Sequence, residues 1–215
     1  MHDRWLRSAH GVAAQLTSRH RVAQMTQTPL TLRRWQRVEY ERLVELGVFR
    51  GEPIELLDGH LVVAEPQSAY HAAAITRVDY ALRRVLPPGW IVRLQAPISL
   101  DDESQPEPDL VVVRGQPGDF QDAHPTRPAI ALEVAESSLP FDRERKGSLY
   151  ARAGIADYWI VNLVDRVLEV YRDPVRDEAA IAGWRYRSVA RLTSPAVIVP
   201  LAFTALEILV ADLLP

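Results

Sequence analysis

A glutamate inside an apolar run constrains this chain more than any other residue. Glu133 stands in Ala129-Ile130-Ala131-Leu132-Glu133-Val134-Ala135, a run short enough to be a buried strand. Burying an ionised carboxylate without a partner is prohibitive, so Glu133 must be paired or must bind a cation. Asp109 poses the same problem. It follows Pro108 and opens the β-branched run Asp109-Leu-Val-Val-Val-Arg, a second candidate for a buried strand. Antiparallel pairing of the two runs across the polar loop Gly115 to Pro128 brings both carboxylates to one end. Two or three converging oxygens suit a hard cation, and Mg2+ typically takes one or two carboxylates while keeping waters and substrate phosphates. Glu55, on an earlier strand, is the natural third.

The flanking pattern supplies the layers around such a sheet. Helical spacing of Leu32, Trp35, Val38, Leu43 and Leu46 predicts a helix from a Thr31 cap to Gly47. Ile54 to Leu57, then Asp58-Gly59, then His60 to Val63 predicts a hairpin whose two-residue turn needs positive φ. Ser68 to Leu86 reads as a second helix, ended by Pro87-Pro88. Trp90 to Leu100 reads as extended, followed by the acidic loop Asp101 to Pro108. Asp142 to Ala153 reads as a third helix stopped by Gly154. Tyr158 to Val161, Val167 to Tyr171, Trp184 to Ala190 and Ala196 to Val199 read as strands, and Leu206 to Leu213 as a closing apolar segment. The expected fold class is α/β or α+β, a mixed central sheet flanked by helices. Residues 1–28 show no clean period and are expected to be a loosely ordered extension, leaving 29–215 as one domain.

Composition excludes several alternatives. With 215 residues, 47% of them hydrophobic and 25% charged, the chain resembles ordinary globular proteins rather than disordered or fibrous ones. No apolar run approaches the ~20 residues that span a bilayer, so no membrane association is expected. The absence of cysteine excludes disulfides and thiolate metal sites and fits a reducing cytoplasm. A net charge of -3 provides no global basic field, so any nucleic-acid contact must be local.

Of the 25 basic residues, Lys146 is the single lysine. Arginine spreads its charge over a planar fork, whereas lysine is a compact ammonium with a tunable pKa, so a site that needs an ammonium would resist replacement. Asp142, Lys146 and Tyr150 are spaced i, i+4, i+8 and share one helix face. That face can turn toward the carboxylates. Lys146 there would position or deprotonate an attacking water, or stabilise charge on a phosphate. A surface pair between Asp142 and Lys146 is the simpler account of the same spacing.

Glu55-Leu-Leu-Asp-Gly, Pro108-Asp109-Leu-Val-Val-Val, Leu132-Glu133-Val134 with Ser137-Ser138, Asp142 with Lys146 and Tyr150, and Gly154-Ile-Ala-Asp-Tyr-Trp-Ile-Val together resemble the Uma-two family of the PD-(D/E)XK nuclease superfamily, over about residues 30 to 210. The resemblance implies a restriction-endonuclease-like fold, a Mg2+ or Mn2+ site, hydrolysis of DNA phosphodiester bonds and a homodimer. It implies that Asp109 and Glu133 are metal ligands, that Glu55 completes the site and that Lys146 is the catalytic lysine, displaced onto the following helix. Ala135 occupies the usual lysine position. His71 falls where relatives place a histidine, although a satisfied polar residue in a first helical turn is the simpler reading. Arg33, Arg34, Arg37, Arg83 and Arg84 could meet phosphates, with solvated helix surface as the plainer account. The alternatives are a catalytically inactive nuclease-fold module that binds nucleic acid or protein, and a hydrolase of smaller phosphodiesters.

Overall fold

The computed structural model describes residues 31–215, so the extension expected over 1–28 lies outside the described residues. Helix α1 (Arg37–Glu45) leads into the hairpin β1 (Ile54–Leu57) and β2 (His60–Val63), then helix α2 (Ala69–Val85). The strands β3 (Trp90–Leu94), β4 (Leu110–Arg114) and β5 (Ile130–Ala135) follow, and then one unbroken helical segment made of α3 (Leu139–Phe141), a π-helical turn (Asp142–Lys146) and α4 (Gly147–Arg152). The chain ends in β6 (Asp157–Asn162), β7 (Val167–Arg176), β8 (Trp184–Leu192), β9 (Val197–Ile198), β10 (Ile208–Leu209) and α5 (Val210–Leu213). Six strands form one sheet in the order β3-β4-β5-β6-β7-β8. Its pairings are antiparallel except β5 with β6, which are parallel because the α3–α4 crossover joins them. A mixed central sheet flanked by helices is the expected fold class.

Successive side chains of a strand point to opposite faces, and this period decides where the acids go. Ile130, Leu132 and Val134 of β5 pack on one face in a cluster that includes Val78 and Leu82 of α2. Ala131 and Ala135 pack on the other with Tyr150 and Ala151 of α4. Glu133 therefore shares the α4 face with two alanines, whose small side chains leave room beside it. On β4, Val111 and Val113 belong to the same face, which places Asp109 there too.

The hairpin forms as expected, with Asp58 at φ 50° and Gly59 at φ 72°, a turn in which only a residue tolerant of the left-handed region is comfortable. It docks on the acidic loop through a bridge between Leu56 and Gln105. Helix α2 is capped by the Ser68 side chain, which accepts the His71 N–H, and it stops before Pro87.

Two expectations need correction. The first helix starts at Arg37, where the Glu39 carboxylate accepts the Gln36 N–H at 3.0 Å. The chain entering it is held by other bonds, Trp35 N–H to the Gly59 carbonyl and, at the first helical residue, Arg37 N–H to that of Asp102. Its apolar stripe is not a core stripe, since Val38 and Leu46 are exposed and Tyr40 is the buried residue. The third helix starts at Leu139 rather than Asp142 and contains a π turn, a local widening that occurs frequently at functional sites.

The π turn is fastened to the sheet. Arg143 Nε donates to Glu169 on β7 at 3.0 Å, and Asn162 and Tyr171 donate to the same carboxylate. Burial pushes the Glu169 carboxyl upward, but the Arg143, Asn162 and Tyr171 bonds and the Arg143 charge outweigh it and hold the group at about 2, against an ordinary 4.5. A carboxyl held low contributes stability that is complete above pH 4.5 and is lost as pH falls toward 2. Glu169→Gln is expected to cost on the order of 2 kcal/mol at neutral pH and to flatten the acid limb of urea-unfolding stability. Identical acid limbs in the two proteins would remove Glu169 from this role.

Candidate active site

Asp109 and Glu133 face each other across the end of the β4–β5 ladder, beyond the paired Leu110 and Leu132. Asp109 completes that ladder with its side chain: Oδ2 accepts the Val134 N–H at 2.8 Å, while the Asp109 N–H reaches Glu133 Oε2 at 3.3 Å. The structure also brings in Lys146, whose Nζ lies 3.1 Å from Glu133 Oε1 and 3.5 Å from Glu55 Oε1. Glu55 is held from the other side, its Oε2 accepting the Glu107 N–H at 3.2 Å. Thus the four side chains singled out in the sequence meet, and all are at most 9% exposed. The simpler account of the lysine, a surface pair with Asp142, does not hold: Lys146 is buried and its ion pairs are with Glu133 and Glu55.

Three further residues join them. Asp142, one π turn before Lys146, is buried and accepts a 2.6 Å bond from Ser138. Tyr150 is fully buried and donates to Glu133 Oε1 at 2.7 Å. His71 Nε2 stands 3.3 Å from Asp109 Oδ2, so this polar residue of the first helical turn finds its partner among the acids. The i, i+4, i+8 spacing had signalled Asp142 and Tyr150 without fixing a role for either.

All of these groups but Tyr150, which lies behind Glu133, line a cavity of about 950 Å³. Seven carboxylates border it (Glu55, Glu65, Glu107, Asp109, Glu133, Glu136 and Asp142), against the single ammonium of Lys146. Burial pushes the Glu133 carboxyl up to about 8, with Lys146 pulling against this and Asp142, Asp109 and Glu55 adding to it. Burial likewise raises Asp142 to about 6, opposed by Lys146 and the Ser138 bond. Burial lowers the Lys146 ammonium, but the surrounding charges of Glu133, Glu55, Asp142 and Asp109 more than offset it, so its pKa is raised. The direction that the geometry supports for the cluster is a lysine that stays charged and a buried acid that retains a proton.

Among the described residues, the groups at this cavity able to ligate a metal are hard oxygens and the His71 imidazole, a set suited to Mg2+ or Mn2+. Among the described residues no three His, Asp or Glu side chains form a ready-made cage. A cation that keeps its waters needs only one or two carboxylates, and Asp109 and Glu133, linked through the Asp109 N–H, provide them. The donor set fits such an ion.

The arginines considered for phosphate contact are largely engaged elsewhere. Arg33 pairs with Glu39, Arg34 with Asp58 and Glu103, Arg37 with Glu41, and Arg83 with Asp79, while Arg84 lies over the Tyr80 ring. Arg152 reaches Asp58 and Asp101, so the acidic loop is partly neutralised from within the chain. Among the described residues no helix is long and apolar enough to cross a membrane.

Comparison with known proteins gives a family and a fold. A family model, Uma2, described as "Putative restriction endonuclease", matches residues 37–211. Among solved structures, a putative nuclease belonging to DUF820 from Anabaena variabilis is similar with a TM-score of 0.58 and 16% identity, covering 74% of this chain and 88% of that one. At that identity the likeness establishes the fold. No curated protein matches the chain.

Proposed function

The chain belongs to the Uma2 family, and from that membership and the geometry of the cavity we propose that it is a divalent-metal-dependent endonuclease hydrolysing phosphodiester bonds of DNA. The observation that carries this reading is the meeting of Asp109, Glu133 and Glu55 with the one lysine of the chain, 3.1 Å from Glu133. Asp109 and Glu133 would hold Mg2+ or Mn2+, with Glu55 completing the site. When bound, such an ion supplies charge neutralisation and lowers the pKa of water. The acids explain why it is needed: a phosphodiester anion is repelled from a cavity bordered by seven carboxylates unless positive charge enters with it. Lys146, kept protonated by its neighbours, cannot take a proton from water. It can donate a hydrogen bond to the attacking water or to a phosphate oxygen as charge builds in the transition state. His71 steadies Asp109 from the α2 side. Pairing of two copies, as the resemblance implies, belongs to the same proposal, and analytical sedimentation checks it.

The test is cleavage of plasmid and linear DNA with Mg2+, with Mn2+ and with chelator. Cleavage is expected only with metal, and metal-independent cleavage would contradict the proposal. Binding can be read separately. Burial pushes the Glu133 carboxyl up to about 8 from an ordinary 4.5, with Lys146 pulling against it. Between those values the unfolded chain binds fewer protons, so metal-free stability falls as pH rises. A cation takes the place of that proton, and its stabilising effect should be larger at pH 8 than at pH 6. At about 100 times its dissociation constant, Mn2+ should add roughly 2.7 kcal/mol, or about 5–10 °C in Tm. No shift at either pH would remove the metal site, and a shift without any DNA cleavage would favour a binding module.

A further inference from the structure

Tyr150 of α4 clusters with Tyr158, Tyr171 and Tyr186 of the strands beneath it, and the four hydroxyls end differently. Tyr158 and Tyr186 donate to the backbone carbonyls of Asp142 and Ile155, and Tyr171 donates to Glu169. Tyr150 alone of the four donates to a carboxylate of the site, at Glu133 Oε1, 2.7 Å away. Lys146, one turn earlier, reaches the same oxygen at 3.1 Å. Oε1 thus has two donors, while Oε2 accepts only the long 3.3 Å bond from the Asp109 N–H.

A carboxylate pinned at one oxygen by a rigid ring can present only the other. The geometry points to Tyr150 as a positioning residue: by holding Glu133 Oε1, its hydroxyl turns Oε2 toward Asp109 and shapes the seat for the cation. This rests on the reading of Glu133 as a metal ligand. An ordinary tyrosine hydroxyl keeps its proton at neutral pH, so it serves as a donor there. Lys146 is engaged with Glu133 and Glu55, and the third N–H of its ammonium is the one that can donate toward a phosphate.

Tyr150→Phe removes the hydroxyl and keeps the ring against Tyr158, where the centroids lie 4.9 Å apart. Mn2+ affinity measured by calorimetry on the whole chain is expected to weaken ten- to a hundredfold, the range found when the hydrogen-bond partner of a metal ligand is lost. Tyr186→Phe is the comparison, since it also loses one buried hydroxyl bond but not one to the site. Its Mn2+ affinity should equal that of the parent protein. Equal weakening in the two variants, or a lowered Tm in Tyr150→Phe with affinity unchanged, would show a purely structural role and overturn the proposal. A parent protein that binds no Mn2+ would overturn the metal reading along with it, which tells the two failures apart.

Discussion

Replacing Glu133 by glutamine is expected to lower metal-dependent DNA cleavage by on the order of a thousandfold while leaving the fold as stable as before, or more so. The two halves of this expectation have one origin. Glu133 is buried, and burial, with Asp142, Asp109 and Glu55 adding to it, pushes its carboxyl up to about 8 against the pull of Lys146. Glutamine has the same shape as that neutral acid and can still accept the Tyr150 bond. Above pH 5 the parent protein must either keep a proton on Glu133 against solvent or bury its charge, and the amide does neither. What the amide cannot do is give a cation a charged oxygen. Thermal unfolding and initial cleavage rates on the same samples would therefore diverge. Cleavage at the parental rate would refute the role of Glu133, and loss of folding in the variant would mean that its charge is structural.

Lys146→Arg is expected to lower single-turnover cleavage at saturating metal by about a hundredfold or more. Lys146 is buried, with its ammonium 3.1 Å from Glu133 and 3.5 Å from Glu55. A guanidinium keeps the positive charge but is planar and longer. It would take both oxygens of a neighbouring carboxylate at once, closing off the oxygen a cation uses. Charge alone would be preserved and geometry lost, so unchanged turnover would reduce Lys146 to a counter-ion. Because the ammonium is already held charged, raising the pH should not substitute for it in the variant.

Much of the framework was legible because it rests on local rules. Asp58-Gly59 needed positive φ and has it. Pro87-Pro88 ended α2, and the apolar runs around Asp109 and Glu133 became the paired strands β4 and β5. The convergence of Asp109 with Glu133 follows from antiparallel pairing alone. The remainder depends on contacts distant in the chain. The π turn is tied to the sheet by Arg143 reaching Glu169, 26 residues away, a contact that no local propensity records. The first helix begins late because its leading residues bond to the Gly59 and Asp102 carbonyls. Tyr150 and Asp142 had the right spacing, but only packing shows that their polar atoms turn inward rather than toward solvent.

The facing positions of Asp109 and Glu133 make this active centre sensitive to chain length. An extra residue within β4 or β5 would carry one of the two acids through the sheet to the α2 side, into the company of Leu132 and Val134, whereas two extra residues would restore its side at a shifted height. Length variation in this stretch of the chain is therefore expected to concentrate in residues 115–128, between the strands, where the count can change without altering which face each acid occupies.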